Sequence, residues 1–175
     1  MKEAELSMLQ RLGASEDSIL VVQTNLANTY SNLGRLEEAL QLERDVYSGE
    51  LKLCGEENER TLVSANNYSC SLINLKRFEE AKALLRKSVP TARRVLGENH
   101  QLTLKMRKIY ARALYQNTSA TLDDLREAVT SLEEIERITQ RVFGGANPLT
   151  LTIEGGLREA RAALAARETQ PSARA

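Results

Sequence analysis

The feature that most constrains this chain is an internal period of 42 residues. That displacement carries Leu20 onto Leu62, Asn25 onto Asn67, Leu36 onto Phe78, Glu37-Glu38-Ala39 onto Glu79-Glu80-Ala81, Gly55 onto Gly97 and Thr61 onto Thr103. A fixed period of this length means stacked supersecondary units, none of which can bury its apolar face alone, so it decides the architecture before any helix is assigned. A third copy follows at a displacement of 47, with Ala81 onto Ala128, Gly97 onto Gly144 and Thr103 onto Thr150. The five added residues are expected in the turn at Gln116 to Thr121 alone, because added inside a helix they would rotate its packing face. In the other direction Gly55 pairs with Gly13 and Val46 with Ala4, which reads as a start in mid-repeat.

Each unit reads as two helices around a polar turn. Ile19, Val22, Leu26 and Tyr30 recur at helical spacing, Ser31 to Arg35 breaks the pattern, and Leu36, Ala39, Leu40, Val46 and Leu53 resume it. Gly13, Gly55, Gly97 and Gly144 stand where a helix C-terminus needs a left-handed residue. New helices are expected to start near Thr61, Thr103 and Asn147-Pro148, as caps or an N1 proline. The expected helices are 2–12, 18–33, 36–53, 60–75, 78–96, 102–116, 121–142 and 149–167. The array then divides into a half repeat 1–17, repeats 18–59, 60–101 and 102–148, a terminal helix 149–167 and a disordered tail 168–175. Pro90 falls inside one helix and predicts a kink without a break.

Composition excludes several classes. With 24 basic and 24 acidic residues the formal net charge is zero, so the overall positive field of a nucleic-acid or anionic-membrane binder is missing. Apolar runs such as Ile19 to Val22 are too short to span a bilayer, and no signal pattern opens the chain, so a cytoplasmic location is expected. Cys54 and Cys70 lack metal or disulfide-framework spacing, and the sequons at Asn67 and Asn117 read as coincidence. His100, the one histidine, has no catalytic company and reads as a loop cap. Gly144-Gly145 reads as a turn and Gly155-Gly156 as a weak helix start, neither followed by the lysine of a phosphate loop. No enzyme, metal or cofactor is expected.

Asn25-Leu26-Ala27, Tyr30 and Gly34-Arg35-Leu36-Glu37-Glu38-Ala39 resemble the tetratricopeptide repeat (TPR), with small and aromatic residues in helix A, a turn glycine and an alanine in helix B. Val95-Leu96-Gly97-Glu98-Asn99-His100-Gln101-Leu102-Thr103 and Phe143 to Thr150 are similar to the repeat ending of the long, kinesin-light-chain-like variety. The resemblance implies an all-α, right-handed superhelix of antiparallel helix pairs that binds a partner protein. It also marks departures: Ser69 and Lys76 replace an alanine and the turn glycine, and Glu43 occupies a helix B site that is usually aromatic.

In that family the A helices line a concave groove. Taking Leu26, Tyr68 and Tyr110 as equivalent core positions, the resemblance puts Val21, Thr24, Asn28, Ser31 and Asn32 in it from the first repeat. Val63, Asn66, Cys70, Ile73 and Asn74 follow from the second, and Lys105, Lys108, Arg112, Tyr115 and Gln116 from the third. The carboxylate clamp of TPR co-chaperones is matched only at Asn28, Asn67 and Lys105, with Thr24 and Ile109 in place of its other cations, so an internal acidic or polar peptide fits better than a free C-terminus. Two other readings compete. The chain could serve as a structural subunit that contacts neighbours through its ends and convex face, with self-association through the uncapped start. RNA binding by helical repeats is disfavoured by the amides that fill two of the three repeats.

Overall fold

The computed structural model describes residues 11–169 together with Ala4, Ser7 and Met8. From Glu16 on, the described residues form seven helices in order: α1 (Glu16–Asn32), α2 (Leu36–Cys54), α3 (Glu59–Asn74), α4 (Phe78–Leu96), α5 (Gln101–Tyr115), α6 (Leu122–Phe143) and α7 (Pro148–Thr169). There is no strand among the described residues. The helix expected at 2–12 lies mostly outside them, although Ala4, Ser7, Met8 and Arg11 are helical. Residues 168 and 169, expected in the tail, belong to α7, which runs to Thr169, and residues 170–175, the rest of that expectation, lie outside the description.

The chain divides into two compact units, Met1–Arg77 and Phe78–Ala175. In the first, α2 packs on both α1 and α3. In the second, α5 packs on α4, α6 and α7, and α6 on α7. Within each unit, short turns between packed neighbours make consecutive helices antiparallel. The recurring alanines explain how closely the pairs approach: Ala39, Ala81 and Ala128 are all fully buried, where a larger side chain would hold two helices apart. Around Ala128 the second unit gathers Leu104, Leu114, Leu132, Ile135, Ile153 and Leu157 into one apolar cluster. The first unit buries Leu20, Leu26, Leu40, Val46, Leu62 and Leu72.

The helix ends follow local chemistry, with one reassignment. The caps of α3 and α5 are Asn58 and His100, whose Oδ1 and Nδ1 accept from the N–H of Arg60 (2.9 Å) and Leu102 (3.3 Å). Thr61 and Thr103, expected near those starts, instead lie inside the helices and are buried. Their hydroxyls donate across to carbonyls of the preceding helix, Thr61 to Glu50 (3.2 Å) and Thr103 to Ala92 (3.3 Å), and Thr150 donates to the carbonyl of Gly144 (3.0 Å), the residue that ends α6. The recurring threonine is thus a clasp between repeats; capping falls to the residue three places earlier. Asn147 does cap α7, accepting from Leu149 N–H at 2.9 Å, with Pro148 at the first helical position. Gly55, Gly97 and Gly144 all have positive φ. The α4 helix continues through Pro90, whose ring is exposed.

The turn within each pair closes with the N–H of its last residue on a carbonyl five back, Arg35 to Tyr30 (2.9 Å) and Arg77 to Leu72 (2.8 Å). The left-handed position is Gly34 in the first turn and Lys76 in the second, where Cβ crowds the backbone at φ 59°. Lys76→Gly is expected to stabilise the protein by about 1 kcal/mol despite the freer unfolded chain, measurable as a higher urea midpoint.

The five-residue insertion is only partly in the turn. Residues 116–121 form a longer connection than 33–35 or 75–77, but α6 also has 22 residues against 19 in α2 and α4. The gain lies at its N-terminus, where a capping box between Thr121 and Asp124 starts the helix early: Asp124 N–H donates to Thr121 Oγ1 (3.0 Å) and Thr121 N–H to Asp124 Oδ2 (3.0 Å). Residues added at a helix end leave the downstream face unrotated, so Ala128 keeps the buried place of Ala81.

Candidate functional site

In the first unit, Val21, Thr24 and Asn28 lie at offsets of three and four on α1, and Val63 and Asn67 at an offset of four on α3; each set therefore shares a helix face. Between them is a cavity of about 410 Å³ lined by Val21, Thr24, Val46, Glu50, Arg60, Val63, Ser64 and Asn67, among others. Four of its residues, Thr24, Val46, Ser64 and Asn67, also line a recess of about 10 Å³ completed by Asn28 and Glu43. At the mouth Arg60 is fixed by two carboxylates: Nη2 lies 2.8 Å from Glu50 Oε1, and Nη1 pairs with Asp17.

Glu43 is the residue that inspection of the A helices alone could not place here. It is 7% exposed, accepts a hydrogen bond from Ser71, and its Oε2 is buried with no hydrogen-bond partner in the protein. Burial pushes its carboxyl up to about 7, the bond from Ser71 opposing that rise. The sequence signal was a charged residue at a helix B site that is usually aromatic.

The remaining expected residues of this unit divide. Asn66 donates to Asn67 Oδ1 at 3.4 Å while its own Oδ1 is buried without a hydrogen-bond partner. Cys70 is half-buried and in no disulfide. Asn32 and Asn74 are exposed at the ends of α1 and α3 and line neither opening. Ile73, expected in the groove, is 2% exposed and belongs to the core. Tyr68, taken as a core equivalent of Leu26, is half-buried and stacks on Tyr47 with ring centroids 6.1 Å apart.

In the second unit Lys108, Arg112, Tyr115 and Gln116 on α5 meet Thr152, Gly155, Gly156 and Glu159 on α7 around a cavity of about 330 Å³. Lys108 Nζ lies 3.3 Å from Thr152 Oγ1, Arg112 Nε donates to Gln116 Oε1 at 2.9 Å, and Tyr115 Oη donates to Glu159 at 3.0 Å. Burial, with Glu159 adding to it, pushes the Tyr115 phenol well above its usual value, so it stays a donor. Gly155 and Gly156, expected from the sequence at a helix start, sit instead inside α7, which forms the far wall of the cavity. Lys105 is exposed and outside this cavity, and Ile109, at the clamp's final cation position, is 6% exposed. On another face of the unit, Arg107 is buried between Glu134 (2.6 Å) and Glu98 (3.6 Å).

No helix among the described residues is long and apolar enough to cross a membrane, and no three of their His, Cys, Asp or Glu side chains converge as metal ligands. The recurring helices, packed on their neighbours within each unit around buried alanines, define a helical-repeat protein. Residues 19–58 and 61–102 each match the family model of the tetratricopeptide repeat, so these two stretches are TPR repeats, and the chain as a whole is similar to kinesin-light-chain-like TPR-repeat proteins. The nearly identical TPR-like repeats of a kinesin-light-chain-type protein of Podosopora anserina superpose with a TM-score of 0.76 at 25% identity, over 95% of this chain and 77% of that one. A variant of the same protein gives a TM-score of 0.78 with the same identity and coverage. BtubC (BKLC) of P. vanneervenii shares the fold at 18% identity and a TM-score of 0.69, over 99% of this chain and 75% of its own. Among curated proteins no relative matches. Tetratricopeptide repeats are in general protein-interaction and scaffold modules.

Proposed function

We propose that the chain binds a polar, acid-bearing peptide segment of a partner protein, with the second unit receiving the acidic side chains. The observation that carries this reading is the α5–α7 cavity. Lys108 and Arg112 border it four residues apart on one helix face, Lys108 Nζ beside the Thr152 hydroxyl and Arg112 Nε on the Gln116 oxygen. A carboxylate entering there gains charge-assisted hydrogen bonds worth about 1.5–3 kcal/mol each when desolvated, less when screened. Lys105, one turn before Lys108 and exposed, extends the positive stripe. Glu159 is the opposing charge on the wall, and the Tyr115 hydroxyl engages it.

The test is fluorescence anisotropy with a labelled peptide of eight glutamates and one of eight glutamines. The glutamate peptide is expected to bind with an affinity that falls steeply between low and physiological salt. Lys108→Glu with Arg112→Glu should weaken it at least tenfold while the circular dichroism spectrum is unchanged; Lys87→Glu, at an exposed position on α4, serves as the control. Equal binding by the charge-reversed and unaltered proteins would reject the reading.

A further inference from the structure

The recess beside Glu43 differs from the α5–α7 cavity in the hydrogen-bond sense of its walls. Thr24 Oγ1 donates its proton to the Leu20 carbonyl at 2.8 Å, and Ser64 Oγ donates to the Thr61 carbonyl at 2.9 Å. Both hydroxyls therefore present only lone pairs to any further group. The Asn67 side-chain oxygen already accepts from Asn66. With the partnerless Oε2 of Glu43, three acceptors, the Thr24 and Ser64 hydroxyls and the carboxylate, border a volume of about 10 Å³, roughly one water-sized group, beside the amide side chains of Asn28 and Asn67. A guanidinium is too large for that volume; an ammonium is not, and its three protons are donors only. The adjoining cavity continues the match, because Val21, Val46 and Val63 on its wall offer apolar contact of the kind a four-carbon stem covers while its charged end points elsewhere.

We infer that the first unit holds a lysine side chain of the partner, its ammonium seated on Glu43, Thr24 and Ser64 and its stem lying along Val21, Val46 and Val63. This rests on the reading of the chain as a peptide-binding module and adds a basic anchor to it. The charged groups around the site are Asp17 from α1, Glu43 and Glu50 from α2, and Glu59 and Arg60 from α3. Arg60, the cation among them, is held by Asp17 and Glu50, so the local balance is negative. Because burial pushes the Glu43 carboxyl up to about 7, the ionised form that an ammonium needs grows in as pH rises through that value.

The experiment is NMR titration of the full chain with N-acetyl-lysine methylamide, following the Glu43 carboxyl carbon and the side-chain amides of Asn28 and Asn67. Saturable shifts at all three are expected at pH 8. Affinity should fall about tenfold per pH unit well below 7, and the Glu43 midpoint should move down when the probe is bound. Glu43→Gln should weaken binding at least tenfold, its fold checked by circular dichroism. N-acetyl-norleucine methylamide, which keeps the stem and lacks the charge, should not shift the Glu43 carbon. Glycinamide binding as tightly as the lysine probe would overturn the assignment in favour of a chain terminus. Unchanged affinity in Glu43→Gln, equal binding of norleucine, or absence of saturation would overturn it altogether. None of these results bears on the glutamate-peptide measurement at Lys108 and Arg112, so the two readings fail separately.

Discussion

Glu43→Gln is expected to stabilise the protein by about 2–3 kcal/mol at pH 8 and to change nothing near pH 4. The cause is desolvation: the Glu43 carboxyl is buried by α1 and α3, with Ser71 as the protein donor that opposes the effect, and its folded-state value of about 7 stands above the ordinary 4.5. Between those values the folded protein binds a proton that the unfolded chain has released. Stability from this group is therefore complete below about 4.5, declines as pH rises, and is fully lost above about 7. Glutamine keeps the shape and can still accept from Ser71, but has no charge to bury. Urea denaturation of both proteins at pH 4, 6 and 8 checks the prediction. The unaltered chain should lose ground steadily against the variant, and parallel curves would mean that the carboxyl is ionised without penalty. Asp124 moves the other way, lowered first by the backbone N–H of Thr121, and makes a contribution that is lost on acidification. The comparison between two proteins differing only at Glu43 removes that opposing slope.

Ile153→Ala is expected to cost about 2–5 kcal/mol, whereas Leu151→Ala, two residues away on the same helix, should cost less than about 0.5 kcal/mol. Ile153 is fully buried in the cluster that α5, α6 and α7 share, so removing its outer carbons leaves a cavity that three packed helices cannot easily collapse. Leu151 is 53% exposed and loses little. Repeat arrays gain stability from nearest-neighbour contacts, so the damage should be concentrated in the second unit. Hydrogen exchange should show faster amide exchange in α5 to α7 than in α1 to α3. Uniform acceleration along the whole chain would mean that the two units unfold as one.

The helical organisation was legible because it depends on local, one-dimensional signals. The spacing of apolar residues, the glycines after α2, α4 and α6, and Asn147-Pro148 before α7 place helix boundaries to within two residues of those observed. The buried alanine of each pair follows from the same period. Where the reading went astray, one residue type had two uses. A threonine near a helix start can cap that helix or clasp the preceding one, and Thr61 and Thr103 do the second, because Asn58 and His100 already satisfy the first turns.

The candidate site was legible in its A-helix half only. Thr24 and Asn28 border one recess, where Asn67 of α3 meets them, and Lys108, Arg112 and Gln116 border one cavity, because residues three and four apart on one helix share a face whatever surrounds them. Which other helix completes each opening could not be read from that spacing. The recess in the first unit takes its carboxylate from α2, and the cavity in the second takes its far wall from α7, whose Thr152 and Glu159 are each 44 residues from the α5 partner they meet. Periodicity along one chain determines where helices lie and which way their faces point. Whether Glu43 keeps an unpartnered oxygen, and whether Thr24 and Ser64 have already committed their protons, depends on three helices closing around one point, and only the tertiary structure decided that.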